Sequence, residues 1–180
     1  VATTTMRVLG YELLDSSSPV ESDLGERTPD PFLPQNRAEL TRRVLDHRAC
    51  IGVAYDGDGD QVLFASKEGT IFTPEQTLIL LARALLLYQP GSEVVYDQRF
   101  ASFVAHEIRK VGGKPVPLQA GFSGIKRTLL QRGAVLGADK SGHYFFRTMG
   151  GDDALYATLV MLRIVSRYQA GIDHILTSLS

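Results

Sequence analysis

Apolar positions follow two spacings along the chain, and these spacings predict its secondary structure. Short, continuous apolar runs bounded by glycine, proline or acidic residues are typical of buried strands. Longer segments in which apolar residues recur every three or four positions are typical of amphipathic helices. The two patterns alternate beyond residue 73. This alternation predicts an α/β fold with mixed, largely parallel sheets that are covered by helices on both faces.

The pattern further predicts a domain boundary near residue 72, which separates residues 1–72 from residues 73–180. The predicted strands lie at residues 11–14, 50–55, 62–65, 70–72, 94–97, 115–118, 134–136 and 143–147. The predicted helices lie at residues 1–9, 36–48, 102–111, 123–132 and 152–169, with another beginning at residue 74 and a short one closing the chain. Residues 15–34, rich in serine, proline and aspartate, are predicted to form a loop.

Two predicted helices open with a capping box, in which the cap residue and the residue three positions later each satisfy a backbone N–H group. Asn36 with Glu39 opens one helix, and Thr73 with Gln76 opens the other.

The first predicted helix begins abruptly at residue 1, without an initiator methionine. We therefore expect the chain to be a fragment.

Composition narrows the functional class. The 180 residues are 44% hydrophobic and 22% charged, which is ordinary for a globular protein. A net charge of −1 provides no field that would attract nucleic acid or a membrane surface, and no apolar run is long enough to span a bilayer. The single cysteine, Cys50, excludes an internal disulfide framework, and its apolar neighbours predict a core position. With no visible signal peptide, this favours the cytoplasm.

The run DGDGD at residues 56–60, here called the aspartate loop, lies between two predicted strands. Its three carboxylates, Asp56, Asp58 and Asp60, are separated only by glycines, and oxygen ligands suit hard cations such as Mg²⁺ or Ca²⁺. An EF-hand is rejected, because its sixth and twelfth positions, normally glycine and glutamate, are here Gln61 and Lys67. A solvated acidic turn is the simpler alternative, but it does not require so many carboxylates.

A second candidate site is the run GADKSGH at residues 137–143, here called the polar loop. It offers a carboxylate, an ammonium, a hydroxyl and an imidazole, which suit a polyhydroxylated ligand. An ordinary polar loop with His143 as a core histidine remains an equal alternative. Arg99, which follows another predicted strand, either binds a phosphate or is a surface arginine. In parallel sheets ligands collect beyond the carboxyl ends of strands, where all these segments fall.

Together these segments resemble the α-D-phosphohexomutases, the phosphomannomutase/phosphoglucomutase family. Residues 52–60 look like the family's metal loop, and the polar loop is similar to its sugar-binding loop, usually written G-E-x-S-G-H. Shorter matches are PDP at residues 29–31 with Asn36, VVYD at 94–97, GGKPV at 112–116, SGIK at 123–126 and GDDA at 151–154.

The resemblance implies a four-domain enzyme, of which this chain holds most of domain 2 and all of domain 3. We therefore expect two α/β/α layered domains with mixed, largely parallel sheets, residues 1–72 and residues 73–180, of which the first is incomplete. Domains 1 and 4 would be missing, and with them the phosphoserine that exchanges phosphate with a hexose phosphate and the main grip on the substrate phosphate. Asp56, Asp58 and Asp60 would bind Mg²⁺ together with the serine phosphate. The implied substrate-binding residues are Arg99, Asp139, Ser141 and His143. No catalytic nucleophile is expected here, and the isolated fragment is expected to be inactive.

The sequence departs from the family pattern at four positions in the expected cleft. Gln61 follows the third aspartate where the family usually has arginine, and Asp139 replaces the glutamate of the sugar-binding loop. Phe122 replaces a histidine, and Arg99 replaces a lysine. Three hypotheses stay open: the central part of an active phosphohexomutase for glucose or mannose phosphate, a diverged and impaired relative that only binds sugar phosphate, or a structural piece without a ligand.

Overall fold

The computed structural model describes residues 2–15, 29–119, 121–168 and 172–179, without the side chain of Phe122. Its helices are α1 (Ala2–Val8), α2 (Pro34–His47), α3 (Pro74–Leu86), α4 (Phe103–Lys110), α5 (Phe122–Arg132), α6 (Ala154–Tyr168) and α7 (Ile172–Thr177). Its strands are β1 (Ile51–Tyr55), β2 (Val62–Ser66), β3 (Glu93–Asp97), β4 (Lys114–Leu118), β5 (Leu136–Ala138), β6 (Tyr144–Phe146) and β7 (Gly151–Asp152). A 3₁₀ turn spans Arg147–Met149.

The strands form two sheets. β1 and β2 pair antiparallel as a two-stranded sheet, and the remaining strands form a five-stranded sheet in the order β4-β3-β5-β6-β7. β3 pairs parallel with both β4 and β5, because a helix crosses between successive strands. β6 pairs antiparallel with β5, and β7 pairs antiparallel with β6, because only a short turn separates each of them from the strand before it. The mixed α/β class is thus confirmed, and the parallel part of the sheet is β4-β3-β5.

Helices cover both faces of the five-stranded sheet. Alternate residues of β3 face opposite cores: Val94 and Tyr96 join the large cluster formed with α3, α4 and α6, whereas Val95 packs against α5. This period of two is what a strand buried on both faces produces. Within the described ranges, none of the helices combines the length and apolarity that a membrane span requires.

The capping box of α3 is confirmed. The N–H of Gln76 donates to the Thr73 hydroxyl at 3.2 Å, and the N–H of Thr73 donates to the Gln76 side-chain oxygen at 2.9 Å. Asp153 plays the same capping role for α6, because its carboxylate accepts the N–H of Tyr156 at 2.7 Å. The signal at Thr73 is local in sequence, which is why the sequence alone reveals it.

The predicted capping box at Asn36 is wrong. α2 begins at Pro34, and a proline at the first helical position has no N–H that needs a partner. The Asn36 side-chain amide instead donates to the Asp30 carbonyl at 2.6 Å. Glu39 pairs with Arg42 and Arg43, whose hydrogen bonds lower the pKa of its carboxyl to about 2.

Three other local predictions change. The predicted strand at residues 11–14 is wrong: Tyr11 donates its N–H to Met6 and so closes α1. The predicted strand at residues 70–72 reduces to an isolated bridge between Ile71 and Ala65. Cys50 is exposed and not in the core, because it lies at the bend just before β1. Most of the predicted 15–34 loop, residues 16–28, lies outside the described residues.

Candidate functional site

The aspartate loop joins β1 to β2, and its first carboxylate shapes it. Asp56 Oδ1 accepts the N–H groups of Gly59 at 3.0 Å and Gln61 at 3.1 Å, which folds the loop back on itself. Asp56, Asp58 and Asp60 each offer one oxygen, and these oxygens lie within 4.8 Å of one another. Asp58 is exposed, and the other two are half-buried. Oxygen donors gathered in this way fit a hard divalent cation.

The polar loop joins β5 to β6 in a tight turn that Asp139 holds closed. Asp139 Oδ1 accepts the N–H of Ser141 at 2.9 Å and that of His143 at 3.1 Å. Asp139 Oδ2 lies 2.8 Å from His143 Nδ1. The Asp139 residue is only 4% exposed. The hydrogen bonds described for its carboxylate are all made within the polar loop.

The two loops lie side by side because their backbones pair. Gln61 and His143, which are 82 positions apart in sequence, form an isolated antiparallel bridge. The N–H of Val62 donates to the carbonyl of Gly142 at 3.2 Å, next to that bridge. The start of β2 is thereby tied to the start of β6. The structure thus brings Asp56, Asp58, Asp60, Asp139, Ser141 and His143 into one region, as the sequence predicts for a site at the strand ends.

The His143 side chain, which belongs to the polar loop, also contacts the end of the aspartate loop. Its Nε2 lies 3.4 Å from Asp60 Oδ1 and 3.4 Å from Gln61 Nε2, while its Nδ1 faces Asp139. Burial alone would lower the pKa of His143. The hydrogen bond and negative charge of Asp139, together with the charges of Asp60 and Asp152, outweigh burial and raise the pKa.

Arg99 lies at the same edge of the sheet, beyond the end of β3. Its guanidinium forks onto the carboxylate of Asp97, with Nε 2.9 Å and 3.0 Å from the two oxygens and a terminal nitrogen in closer contact. The side chain of Arg99 is 68% exposed and that of Asp97 only 4%. The hydrogen bond from Arg99 lowers the pKa of Asp97 despite burial. β3 and β5 are neighbours, with Tyr96 opposite Ala138, so Arg99 and Asp139 leave the sheet on the same side.

A turn at residues 29–32 packs against both loops. A Cβ added at Gly57 would lie 3.1 Å from Pro29 Cγ, and a Cβ added at Gly142 would lie 2.3 Å from Phe32 Cζ. Asp30 stabilises the turn by accepting the N–H of Phe32 at 2.7 Å. The turn at residues 29–32 therefore packs against both loops, and in each loop the closest approach is at a glycine.

Sequence reasoning missed Glu75 at this edge. Lys140 Nζ in the polar loop lies 3.7 Å from Glu75 Oε1 in the first turn of α3. Acidic residues are common in the first turn of any helix, so the sequence carries no signal for this contact. Phe122 begins α5, but its side chain lies outside the described part of the structure.

Comparison with known proteins identifies the family. Residues 73–180 match the domain family described as phosphoglucomutase/phosphomannomutase, alpha/beta/alpha domain III. The chain belongs to the phosphoglucomutase/phosphomannomutase family. It is 32% identical over 180 residues to a phosphomannomutase/phosphoglucomutase of Pseudomonas aeruginosa, covering 99% of this chain and 39% of that protein.

Two further relatives agree. A phosphoglucomutase of Neisseria gonorrhoeae is 34% identical over 160 residues, covering 88% of this chain and 35% of that protein. The crystal structure of a phosphoglucomutase/phosphomannomutase family protein from Burkholderia thailandensis superposes with a TM-score of 0.92 at 34% identity, covering 99% of this chain and 39% of that one. The chain thus spans about two fifths of the length of these relatives.

This member of the phosphoglucomutase/phosphomannomutase family carries an uncharged side chain where its two loops meet. Gln61 follows the last aspartate of the aspartate loop, and its amide nitrogen faces the His143 ring. A glutamine at this place can donate or accept hydrogen bonds but brings no positive charge to the three carboxylates. The Gln61 side chain therefore leaves the charge of the three neighbouring carboxylates uncompensated.

Proposed function

We propose that the chain is the central part of a Mg²⁺-dependent phosphohexomutase, which moves phosphate between the 1- and 6-positions of a hexose phosphate such as glucose or mannose phosphate. The family relatives support this reaction class, because they are named phosphomannomutase/phosphoglucomutase and phosphoglucomutase. The observation that carries the proposal is the bridge between Gln61 and His143. It unites a carboxylate cluster suited to a cation with a loop suited to a sugar.

The aspartate loop is the proposed metal site. Asp56, Asp58 and Asp60 would hold Mg²⁺, since their oxygens converge to within 4.8 Å and hard cations prefer such donors. Bound there, the ion supplies positive charge that stabilises a transferring phosphoryl group. The phosphoserine that carries this group would come from a domain outside the chain, as would a further domain that grips the substrate phosphate. Residues 1–72 would then belong to the family's second domain and residues 73–180 to its third.

The remaining site residues orient the substrate and handle protons. Ser141 offers a hydroxyl to the sugar, and His143 offers an imidazole whose Nε2 faces the aspartate loop, where a sugar hydroxyl would lose or gain its proton. Arg99 uses Nε and one terminal nitrogen on Asp97. A guanidinium has five N–H donors, so the others remain for a substrate phosphate. The substrate is expected to be a small cytoplasmic metabolite.

The test is turnover by the full-length protein, with its flanking domains, supplied with Mg²⁺. Glucose, mannose and glucosamine phosphates are offered as 1- or 6-phosphates, and phosphorus NMR follows the position of the phosphate. Interconversion of at least one pair supports the proposal. Failure with all of them, in a protein that is folded and carries the phosphoserine, contradicts it for these sugars.

One alternative has a specific observation in its favour. The neutral Gln61 beside three carboxylates is consistent with a diverged relative that binds sugar phosphate without effective phosphate transfer, since charge stabilisation dominates such transfers. Gln61→Arg in the full-length protein separates the two functions. A large gain in turnover supports the impaired relative, whereas unchanged turnover shows that the missing positive charge at position 61 does not limit the reaction.

A further inference from the structure

Asp139 uses both of its carboxylate oxygens inside the polar loop. Oδ1 accepts two backbone N–H groups, from Ser141 and His143, at 2.9 Å and 3.1 Å. Oδ2 lies 2.8 Å from His143 Nδ1. The residue is 4% exposed. Oδ1 is filled by its two bonds and Oδ2 keeps one lone pair, but at 4% exposure the carboxylate has little surface that a sugar hydroxyl could reach.

The contact with His143 fixes the ring as well as the loop. A carboxylate oxygen accepts hydrogen bonds and cannot donate them, so Nδ1 must carry the proton that fills the 2.8 Å contact. In a neutral imidazole, a proton on Nδ1 leaves Nε2 as the acceptor. Nε2 is the atom that faces Asp60 and Gln61. Asp139 thus determines both the orientation of the ring and which nitrogen faces the aspartate loop.

We propose that Asp139 is a positioning residue for His143, which it holds as the Nδ1–H tautomer with Nε2 directed to the site, and that it is not a sugar ligand. This role differs from the sugar contact that the family resemblance implies for position 139. Ser141, whose hydroxyl is not needed to close the turn, then makes the direct sugar contact in this loop. The tautomer stands on the structure alone, whereas its consequence for turnover rests on the proposed function.

Three other described groups near the ring are placed differently from Asp139. Asp60 Oδ1 lies 3.4 Å from Nε2, and Phe145 packs beside the ring with centroids 6.3 Å apart. Asp152 acts on His143 through its charge, while its carboxylate lies 3.5 Å from Lys126 Nζ. Asp152 therefore provides a control: it is a nearby carboxylate of the same charge without the hydrogen bond to Nδ1.

The first test measures the tautomer directly in this chain. Long-range proton–nitrogen NMR in alkaline buffer, where imidazoles are neutral, distinguishes a protonated Nδ1 from a protonated Nε2. His143→Gln assigns the signal among the four histidines. The Nδ1–H form in the wild-type chain supports the proposal, and the Nε2–H form overturns it. The wild-type measurement does not depend on any variant folding.

The second test compares two substitutions. In Asp139→Asn the carboxylate acceptor is lost, so the Nδ1–H form should give way to a mixture or to the Nε2–H form. Asp152→Asn removes the same charge nearby and should leave the tautomer unchanged. Loss of the Nδ1–H signal in both variants would show that charge alone selects the tautomer, and would overturn the positioning role.

The third test uses turnover by the full-length protein. Asp139→Asn should lower kcat about 100-fold, the scale of a lost acid–base contribution, with little change in KM. Ser141→Ala should instead raise KM about tenfold, because it removes a hydrogen bond to the substrate. A rise in KM for Asp139→Asn with kcat unchanged would overturn the proposal. A wild-type protein without turnover would contradict the proposed function, and the tautomer measurement would still decide the role of Asp139.

Discussion

At the scale of single residues, charged side chains at the site are held by partners that are themselves buried. Asp97 is 4% exposed and anchors the largely exposed Arg99, while Asp139 anchors His143. The hydrogen bond from Arg99 lowers the pKa of Asp97, so Asp97 keeps its charge at lower pH than it would in the unfolded chain. The orientations of Arg99 and His143 thus each depend on a buried neighbouring carboxylate.

The Asp97–Arg99 pair predicts a pH-dependent contribution to stability. The pKa of Asp97 is lower in the folded state, so its contribution is present above its unfolded pKa of about 3.9 and is lost as pH falls through the lowered value. Asp97→Asn should therefore reduce the midpoint of urea unfolding at neutral pH. The difference from wild type should shrink in acid.

Urea unfolding of both proteins over a series of pH values checks this prediction. The exposed Asp46→Asn on α2 is the matched control, because it removes the same charge from a surface ion pair. A difference for Asp97→Asn that stayed constant or grew toward acid would contradict the pKa argument.

At the scale of elements, a local support sets the positions of the two loops. The turn at residues 29–32 lies under both the aspartate loop and the polar loop. Gly142 has φ +90° and its missing side chain leaves the space that Phe32 fills. Glycine is required at position 142 for two reasons: its backbone angle is unfavourable for other residues, and a side chain would clash with the Phe32 ring.

Gly142→Ala should therefore lower the free energy of unfolding by about 2–4 kcal/mol, the sum of a left-handed backbone cost of about 1–2 kcal/mol and an overpacking cost of similar size. Gly150→Ala is the control, since Gly150 has φ +71° but nothing within 4 Å of an added Cβ. It should show the backbone cost alone. Denaturant unfolding measures both, and equal losses for the two variants would contradict the contact with Phe32.

The capping box of α3 gives a second prediction at this scale. Thr73→Ala should destabilise the chain by about 1 kcal/mol, because an N–H at the helix start loses its partner. Ser102, the cap residue of α4, makes no side-chain capping bond, so Ser102→Ala should have a much smaller effect. Thermal or urea unfolding compares them, and a loss for Ser102→Ala as large as that for Thr73→Ala would argue against the box.

The same elements explain which predictions from the sequence succeed. The capping box at Thr73 is confirmed because both partners lie within one turn. The capping box at Asn36 fails because Asn36 bonds to Asp30 outside the helix. The strand at residues 11–14 fails because its first N–H is taken by α1, and a strand also needs a neighbour that the sequence cannot supply. Residue types and spacing thus identify the candidate loops, but not the partners of Asp139 or Arg99.

At the scale of the whole molecule, long-range pairing makes one site from two loops. Gln61 and His143 are 82 positions apart, and no local pattern predicts that they pair. Their bridge joins the two-stranded sheet to the five-stranded one. The chain spans about two fifths of its relatives' length, so the proposed reaction needs groups from elsewhere. The two loops nevertheless meet within this chain, and their contact can be tested in it.

That contact has a direct test. Mn²⁺, a paramagnetic hard cation suited to carboxylate oxygens, is titrated into the labelled chain while amide NMR signals are followed. A metal held by Asp56, Asp58 and Asp60 should broaden signals of residues 141–143 together with those of the aspartate loop. Gly69, in the turn beyond the far end of the five-residue β2 and so about 15 Å further away, should be affected much less. Asp58→Asn should weaken the effect, and Asp46→Asn should not.

Broadening of both loops at low Mn²⁺, with Gly69 spared, is the result predicted by a single site built from two distant segments. Broadening confined to the aspartate loop, or spread evenly over all exposed carboxylates, would contradict it.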